Sequence, residues 1–177
     1  MKFVETLFPE AFIIEIEPMR DERGFFARTF CSEDFKSHGL RKNMVQTNLS
    51  YSKHKHTLRG MHYQVDGAEE AKLIKCNIGS ILDVIIDIRK DSKNFGKYLS
   101  VELTVGNNKM LYVPEGFAHG FLTLEDNTYV SYQVSNFYTP GKERGIRWND
   151  KKFNIDWKIE KPAVISEKDT NWPDYEL

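Results

Sequence analysis

The segment Leu58-Arg59-Gly60-Met61-His62-Tyr63-Gln64 sets a guanidinium, a flexible backbone position and an imidazole within a few residues of one another. It does so inside a stretch that otherwise reads as β-strand. A second histidine arrives in Pro114-Glu115-Gly116-Phe117-Ala118-His119-Gly120-Phe121, between small residues and aromatics. Guanidinium offers oxygen anions a planar, bidentate fork, and free imidazole titrates near pH ~6.5, close to neutrality. The two segments together suggest a cavity that holds an anionic, oxygenated substrate and moves a proton. Lys72, the tyrosines Tyr129, Tyr132 and Tyr138, and Asp169 in the polar Ser166-Glu167-Lys168-Asp169 tail extend the set of candidates.

Other chemistries fit less well. His54-Lys55-His56 has the i, i+2 spacing of two imidazoles aimed the same way, but Lys53 and Lys55 would repel a divalent cation, and no third ligand completes a facial triad. No metal is therefore expected. Neither Cys31 nor Cys76 lies in a glycine-rich or helix-start setting that would activate a thiolate, and no nucleophile elbow occurs. Acid and base chemistry remains, with His62 as the natural base.

The elements that must position these groups are strands. Short runs rich in Val, Ile, Phe, Tyr and Thr recur between Gly, Pro, Asn and Asp signals, the pattern of a β-sandwich or barrel. Strands are expected over Phe12–Glu17, Phe25–Phe30, Met44–Tyr51, Leu58–Gln64, Lys72–Ile78, Ile81–Arg89, Tyr98–Val105, Met110–Val113, His119–Leu124 and Thr128–Phe137. One short helix is expected over Ser32–His38, with Ser32 as its N-cap and Gly39 as its stop. From Pro140 onward the chain is polar and irregular, a wrap over the sheets anchored by Trp148 and Trp157.

Alternation assigns faces. In Ile81–Arg89, Leu82, Val84, Ile86 and Ile88 share one side, and Asp83, Ile85, Asp87 and Arg89 the other. Asp87 and Arg89 are expected toward solvent, as on the wet side of an antiparallel sheet; Asp83 suits either that surface or a cavity. Gln46, Asn48 and Ser50 form a polar row that could read a sugar or base, although an ordinary wet face is the simpler expectation. Arg59 and His62, three apart, can face one cavity only if Gly60 sits in a bulge or bend.

The 177 residues suit one domain with a real core. With 25 basic and 26 acidic residues, a formal net charge of -1 gives no global field to gather nucleic acid or anionic membrane. An anion must be held by a local cluster. Cys76, in an apolar run, reads as a buried reduced thiol. The start, Met1-Lys2-Phe3-Val4-Glu5-Thr6, has no uninterrupted apolar segment, and no run approaches the roughly 18 apolar residues of a spanning helix. A soluble cytoplasmic protein is expected.

Along nearly its whole length the chain resembles the deoxythymidine diphosphate (dTDP)-4-dehydrorhamnose 3,5-epimerase family of the cupin superfamily. The resemblance is carried, in order, by Asp21-Glu22-Arg23-Gly24-Phe25-Phe26, Gln46-Thr47-Asn48, Leu58 to Gln64, Lys72-Leu73-Ile74-Lys75-Cys76, Pro114 to Phe121, Ile146-Arg147-Trp148-Asn149-Asp150 and Ser166 to Asp169. It implies one all-β, antiparallel jelly-roll domain over residues 1–177, a homodimer with exchanged N-terminal strands, and cofactor-free epimerisation of a nucleotide-linked 4-keto-6-deoxyhexose. It also implies roles: His62 as base, Asp169 as the carboxylate orienting it, Lys72 stabilising the enolate with Asp83 steadying its ammonium, and Tyr132 as opposite-face acid. Arg23 (reaching in from the partner subunit), Arg59 and His119 match positions that bind diphosphate and sugar. Phe26, Gln46, Asn48, Tyr138, Glu143 and Lys168 match further contacts. Arg28 departs from the pattern, standing where family members commonly carry a glutamate in the nucleotide part of the site. That substitution implies either a different nucleotide or pose, with CDP and GDP sugars as alternatives to dTDP, or an Arg28 turned outward to a surface acid. Single-site C3- or C5-epimerisation, 3,4-ketoisomerisation and noncatalytic sugar-nucleotide binding remain alternative functions.

Overall fold

The computed structural model describes residues 1–41 and 43–176. In chain order the elements are β1 (Lys2–Glu5), β2 (Phe12–Glu15), β3 (Met19–Asp21), β4 (Gly24–Phe26), α1 (Ser32–Ser37), β5 (Gln46–Ser52), β6 (Thr57–Gln64) and β7 (Lys72–Ile78). There follow β8 (Ser80–Asp87), β9 (Tyr98–Thr104), β10 (Lys109–Val113), β11 (Phe117–Thr123), β12 (Thr128–Val134), β13 (Glu143–Gly145), β14 (Val164–Ile165) and α2 (Glu167–Thr170). Sheet one has the order β1-β2-β10-β7-β12-β5, and sheet two β13-β6-β11-β8-β9 with β14 parallel to β6. All other pairings are antiparallel, and the crossed strand order is that of a jelly roll.

Apolar side chains fill three layers. Between the sheets lie Ile74, Cys76, Ile81, Ile85, Leu103, Leu111, Phe117 and Phe121. Each such fully buried side chain contributes roughly 1.5–3 kcal/mol. Behind sheet one, Ile14, Leu73, Met110 and Tyr112 pack on Phe35 of α1. Behind sheet two, Leu58, Val84, Ile86, Ala118 and Leu122 are covered by Ile146, Phe153 and Trp157 of the C-terminal wrap. The Trp157 indole N–H donates to the Trp148 carbonyl at 2.8 Å, which pins the wrap as expected.

This double covering corrects the reading of Ile81–Arg89. The uniformly apolar side of β8 is the outer one, sealed by the wrap, while the side carrying Asp83 and Asp87 turns into the sandwich, where both are fully buried. Asp87 is held there by Arg89 (Nε to Oδ1 2.9 Å, Nη2 to Oδ2 2.8 Å) and by the Ser92 hydroxyl at 2.6 Å. Those bonds outweigh burial and leave its carboxyl below the usual range. Asp87 is structural and buried, whereas Arg89 keeps 30% of its side chain exposed.

Three further expectations change. Ser32 is the first helical residue; Cys31 occupies the N-cap position without a side-chain bond, and the helix is fixed by packing of Phe35 against Phe3, Phe30 and Tyr112. Gly39 does stop it, at φ 71°. Of Phe25–Phe30 only the first two residues are in a strand, β4, which pairs with β3 as an exposed hairpin. The last predicted strand ends at Val134, so Tyr138 lies in the following loop.

Candidate active site

Sheet one supplies one wall of a cavity of about 620 Å³, within the size range of small-molecule sites. Cross-strand register places Gln46 opposite Val134 and Val134 opposite Lys72; the next row is Asn48, Tyr132 and Ile74. Residues two apart share a face, so Gln46, Asn48 and Ser50 look inward beside Tyr132 and Lys72. The polar row is a cavity wall. The wet face expected for it is taken instead by Leu49 and Tyr51, which stand exposed on the outer side of β5.

Sheet two supplies the facing wall. Gly60 breaks the alternation as its position demanded: its φ is 118°, and the β6–β11 register shifts between His119 and Phe121. A Cβ on Gly60 would lie 2.6 Å from Gly120 Cα and 2.8 Å from the His119 carbonyl oxygen, so only glycine fits this crossing. The irregularity brings Arg59 and His62 to one cavity. Arg59 is steadied by the Ser52 hydroxyl at 3.1 Å and the Tyr51 carbonyl at 2.9 Å.

His62 meets Asp169 from the far end of the chain, Nε2 to Oδ1 at 2.6 Å. The other carboxylate oxygen accepts the Gly60 amide at 3.1 Å. Asp169 is on α2, whose start is capped by Ser166 accepting the Asp169 amide at 3.0 Å. Burial pushes the Asp169 carboxyl up, but the His62 hydrogen bond and charge and the Gly60 N–H prevail and hold it below the ordinary range. An ionised carboxylate only accepts, so His62 donates from Nε2 and its other ring nitrogen is left to take a proton.

Tyr132 opens into the same cavity from the opposite sheet. Burial first, then the charge of Glu70, raises its phenol above the ordinary value despite the opposing effect of Arg59, so it stays protonated as an acid must. Lys72 is buried and pairs with Glu70 at 3.2 Å. At the rim, Lys168 binds Glu143, raising the ammonium, and the Tyr138 amide donates to Gln46 at 2.9 Å.

The structure thus gathers His62, Tyr132, Asp169, Lys72, Gln46, Asn48, Arg59, His119, Tyr138, Glu143 and Lys168 around one space. Asp83 is a correction. It neither lines the cavity nor steadies Lys72; it lies behind His119, bonded to its Nε2 at 2.7 Å. Asp83 belongs to β8, beside β11, whereas Lys72 belongs to the other sheet, so the nearer cation-forming group takes it. Arg23, Phe26 and Arg28 are exposed and outside this chain's cavity. Arg23 sits at the tip of the β3–β4 hairpin, clasping Asp21 at 2.5 Å. Sequence reading missed Glu70 and the capping role of Ser166. Ser166-x-x-Asp169 has the spacing of a helix cap, and Glu70 precedes Lys72 by two residues, each a usable signal. Among the described residues no group of three or more His, Cys, Asp or Glu side chains is arranged to hold a metal ion.

Comparison with known proteins shows the family and the fold. A family model described as dTDP-4-dehydrorhamnose 3,5-epimerase matches residues 5–176. The chain is 42% identical over 172 residues to the dTDP-4-dehydrorhamnose 3,5-epimerase of Shigella flexneri, covering 97% of this chain and 94% of that one. The crystal structure of the Bacillus anthracis enzyme with TDP and PPi bound superposes with a TM-score of 0.95 at 38% identity, covering 98% of this chain and 99% of the other. A Legionella pneumophila epimerase in complex with dTDP-4-keto-L-rhamnose gives 0.90 at 32% identity, covering 99% of both chains.

Proposed function

The chain belongs to the dTDP-4-dehydrorhamnose 3,5-epimerase family, and we propose that it inverts C3 and C5 of a dTDP-linked 4-keto-6-deoxyhexose in deoxysugar synthesis for surface polysaccharide. It is an isomerase. The observation that carries the reading is the placement of His62, backed by Asp169, and Tyr132 on opposite sheets around one cavity.

The ketone at C4 acidifies the hydrogens on C3 and C5. His62 takes one of these protons, the electron pair moves into an enolate at O4, and Lys72 offsets the oxyanion charge. Tyr132 then delivers its proton to the opposite face of the same carbon, and the pair resets by proton exchange with solvent. Arg59 and His119 hold the diphosphate and sugar, while Gln46, Asn48, Tyr138, Glu143 and Lys168 make further substrate contacts. The local cations give a nearly neutral protein its anion site.

Residues 1–177 act as one such domain in the cytoplasm, which suits two unpaired cysteines. The working form is a homodimer with exchanged N-terminal strands. Support comes from the apolar β3–β4 hairpin, where Met19, Phe25 and Phe26 are each more than half exposed. In that assembly Arg23, Phe26 and Arg28 reach the partner's cavity.

Incubation with dTDP-4-keto-6-deoxyglucose in deuterium oxide, followed by NMR, tests the activity. Deuterium at both C3 and C5 is expected; at one centre it names a single-site epimerase. No incorporation with dTDP, CDP, GDP or UDP forms overturns the reading.

A further inference from the structure

Trp172 lies just past the end of α2 and does not line the cavity, yet it is packed against the base. Its ring stands edge-on to the His62 imidazole, centroids 6.4 Å apart and planes at 71°. Beneath it is Gly145, the β13 residue directly opposite His62 across the β13–β6 pair. A Cβ on Gly145 would fall 2.1 Å from indole Cε2 and 2.3 Å from both Cδ2 and Nε1. The backbone at Gly145 is ordinary strand, so the need for glycine there is steric and is created by the indole. Lys168, itself held by Glu143, places its ammonium 5.5 Å from the same ring. The indole N–H is buried with no acceptor among the described residues.

We infer that Trp172 is a positioning residue for the base. It wedges α2 against β13, so that Asp169 stays on His62 and the imidazole edge has a fixed wall. Gly145 is its seat. The inference rests on the proposed epimerase reading for its kinetic arm but not for its spectroscopic one.

The test compares wild type with W172F, W172A, G145A, G145A/W172A, D169N and D169N/W172A. Measured are kcat, KM and, without substrate, the downfield NMR signal of the proton shared by His62 and Asp169. W172A is expected to lower kcat about tenfold with KM within about twofold, and W172F to keep at least about half of kcat. Because Trp172 acts through Asp169, W172A on top of D169N should cost less than about twofold more. G145A, which displaces the indole, should fall as W172A does, and the double variant should be no worse than W172A. The shared-proton signal should survive in W172F and vanish in W172A. A W172A enzyme within about twofold of wild type, or effects of W172A and D169N that multiply in full, overturns the inference. So does a shared-proton signal unchanged in W172A, whatever the substrate. If W172A does not fold, W172L replaces it in every comparison. A wild type that exchanges no deuterium rejects the epimerase reading alone.

Discussion

His62 and Asp169 are 107 positions apart in the chain and 2.6 Å apart in space. The contact depends on a chain of small local facts: a serine cap that starts α2, a glycine amide that takes the second carboxylate oxygen, and a bulge that turns His62 inward. An imidazole so held has one fixed donor and one free acceptor.

Replacing Asp169 with Asn should therefore cost activity more than binding. The amide can present its N–H to the ring and favour the wrong tautomer. Loss of about 10²-fold or more in kcat is expected, within the span of general-base catalysis, with the dissociation constant for dTDP unchanged in calorimetry.

The same carboxyl links stability to acid. Its folded pKa lies below the ordinary value of ~3.9. The ionised form thus stabilises the fold above that ordinary value, and the contribution fades as pH falls through the depressed folded value. Urea midpoints of wild type should exceed those of D169N at neutral pH and converge with them below pH ~4.

Gly60→Ala tests the bulge. Its Cβ would meet Gly120 Cα at 2.6 Å in a backbone region that side chains rarely adopt. Destabilisation of roughly 2–4 kcal/mol is expected in chemical denaturation, together with loss of turnover. A stable and active variant would mean that Arg59 and His62 share the cavity for another reason.

Lys72→Met removes the cation proposed to face the enolate while keeping the aliphatic stem. Steady-state kinetics should show kcat falling by about 10²–10³-fold, the range for a lost oxyanion partner. Binding of dTDP should be preserved, since Lys72 pairs with Glu70 rather than with the diphosphate-binding rim.

Sequence and structure agree where pattern and position coincide. Lys72–Ile78 is strand along its full predicted length, and the need for a bend at Gly60 followed from sending Arg59 and His62 to one side. Alternation reveals that two faces differ, however, not which of them is inside. In β8 the uniformly apolar face is the outer one because the wrap covers it, and Asp87 goes inward because Arg89 and Ser92 travel with it. In β5 the polar row lines the cavity and the apolar one is exposed. Asp83 shows a second limit: whether it met Lys72 or His119 depended on which strands became neighbours, a long-range fact that no local spacing contains.

The most direct test of the central claim follows substrate in deuterium oxide with His62→Ala and Tyr132→Phe side by side. If a base and an acid work from opposite walls, His62→Ala abolishes deuterium incorporation, whereas Tyr132→Phe incorporates deuterium at C3 or C5 without inverting it. Equal loss of exchange in both variants, accompanied by equal loss of dTDP binding, would contradict the account and make the two side chains scaffold.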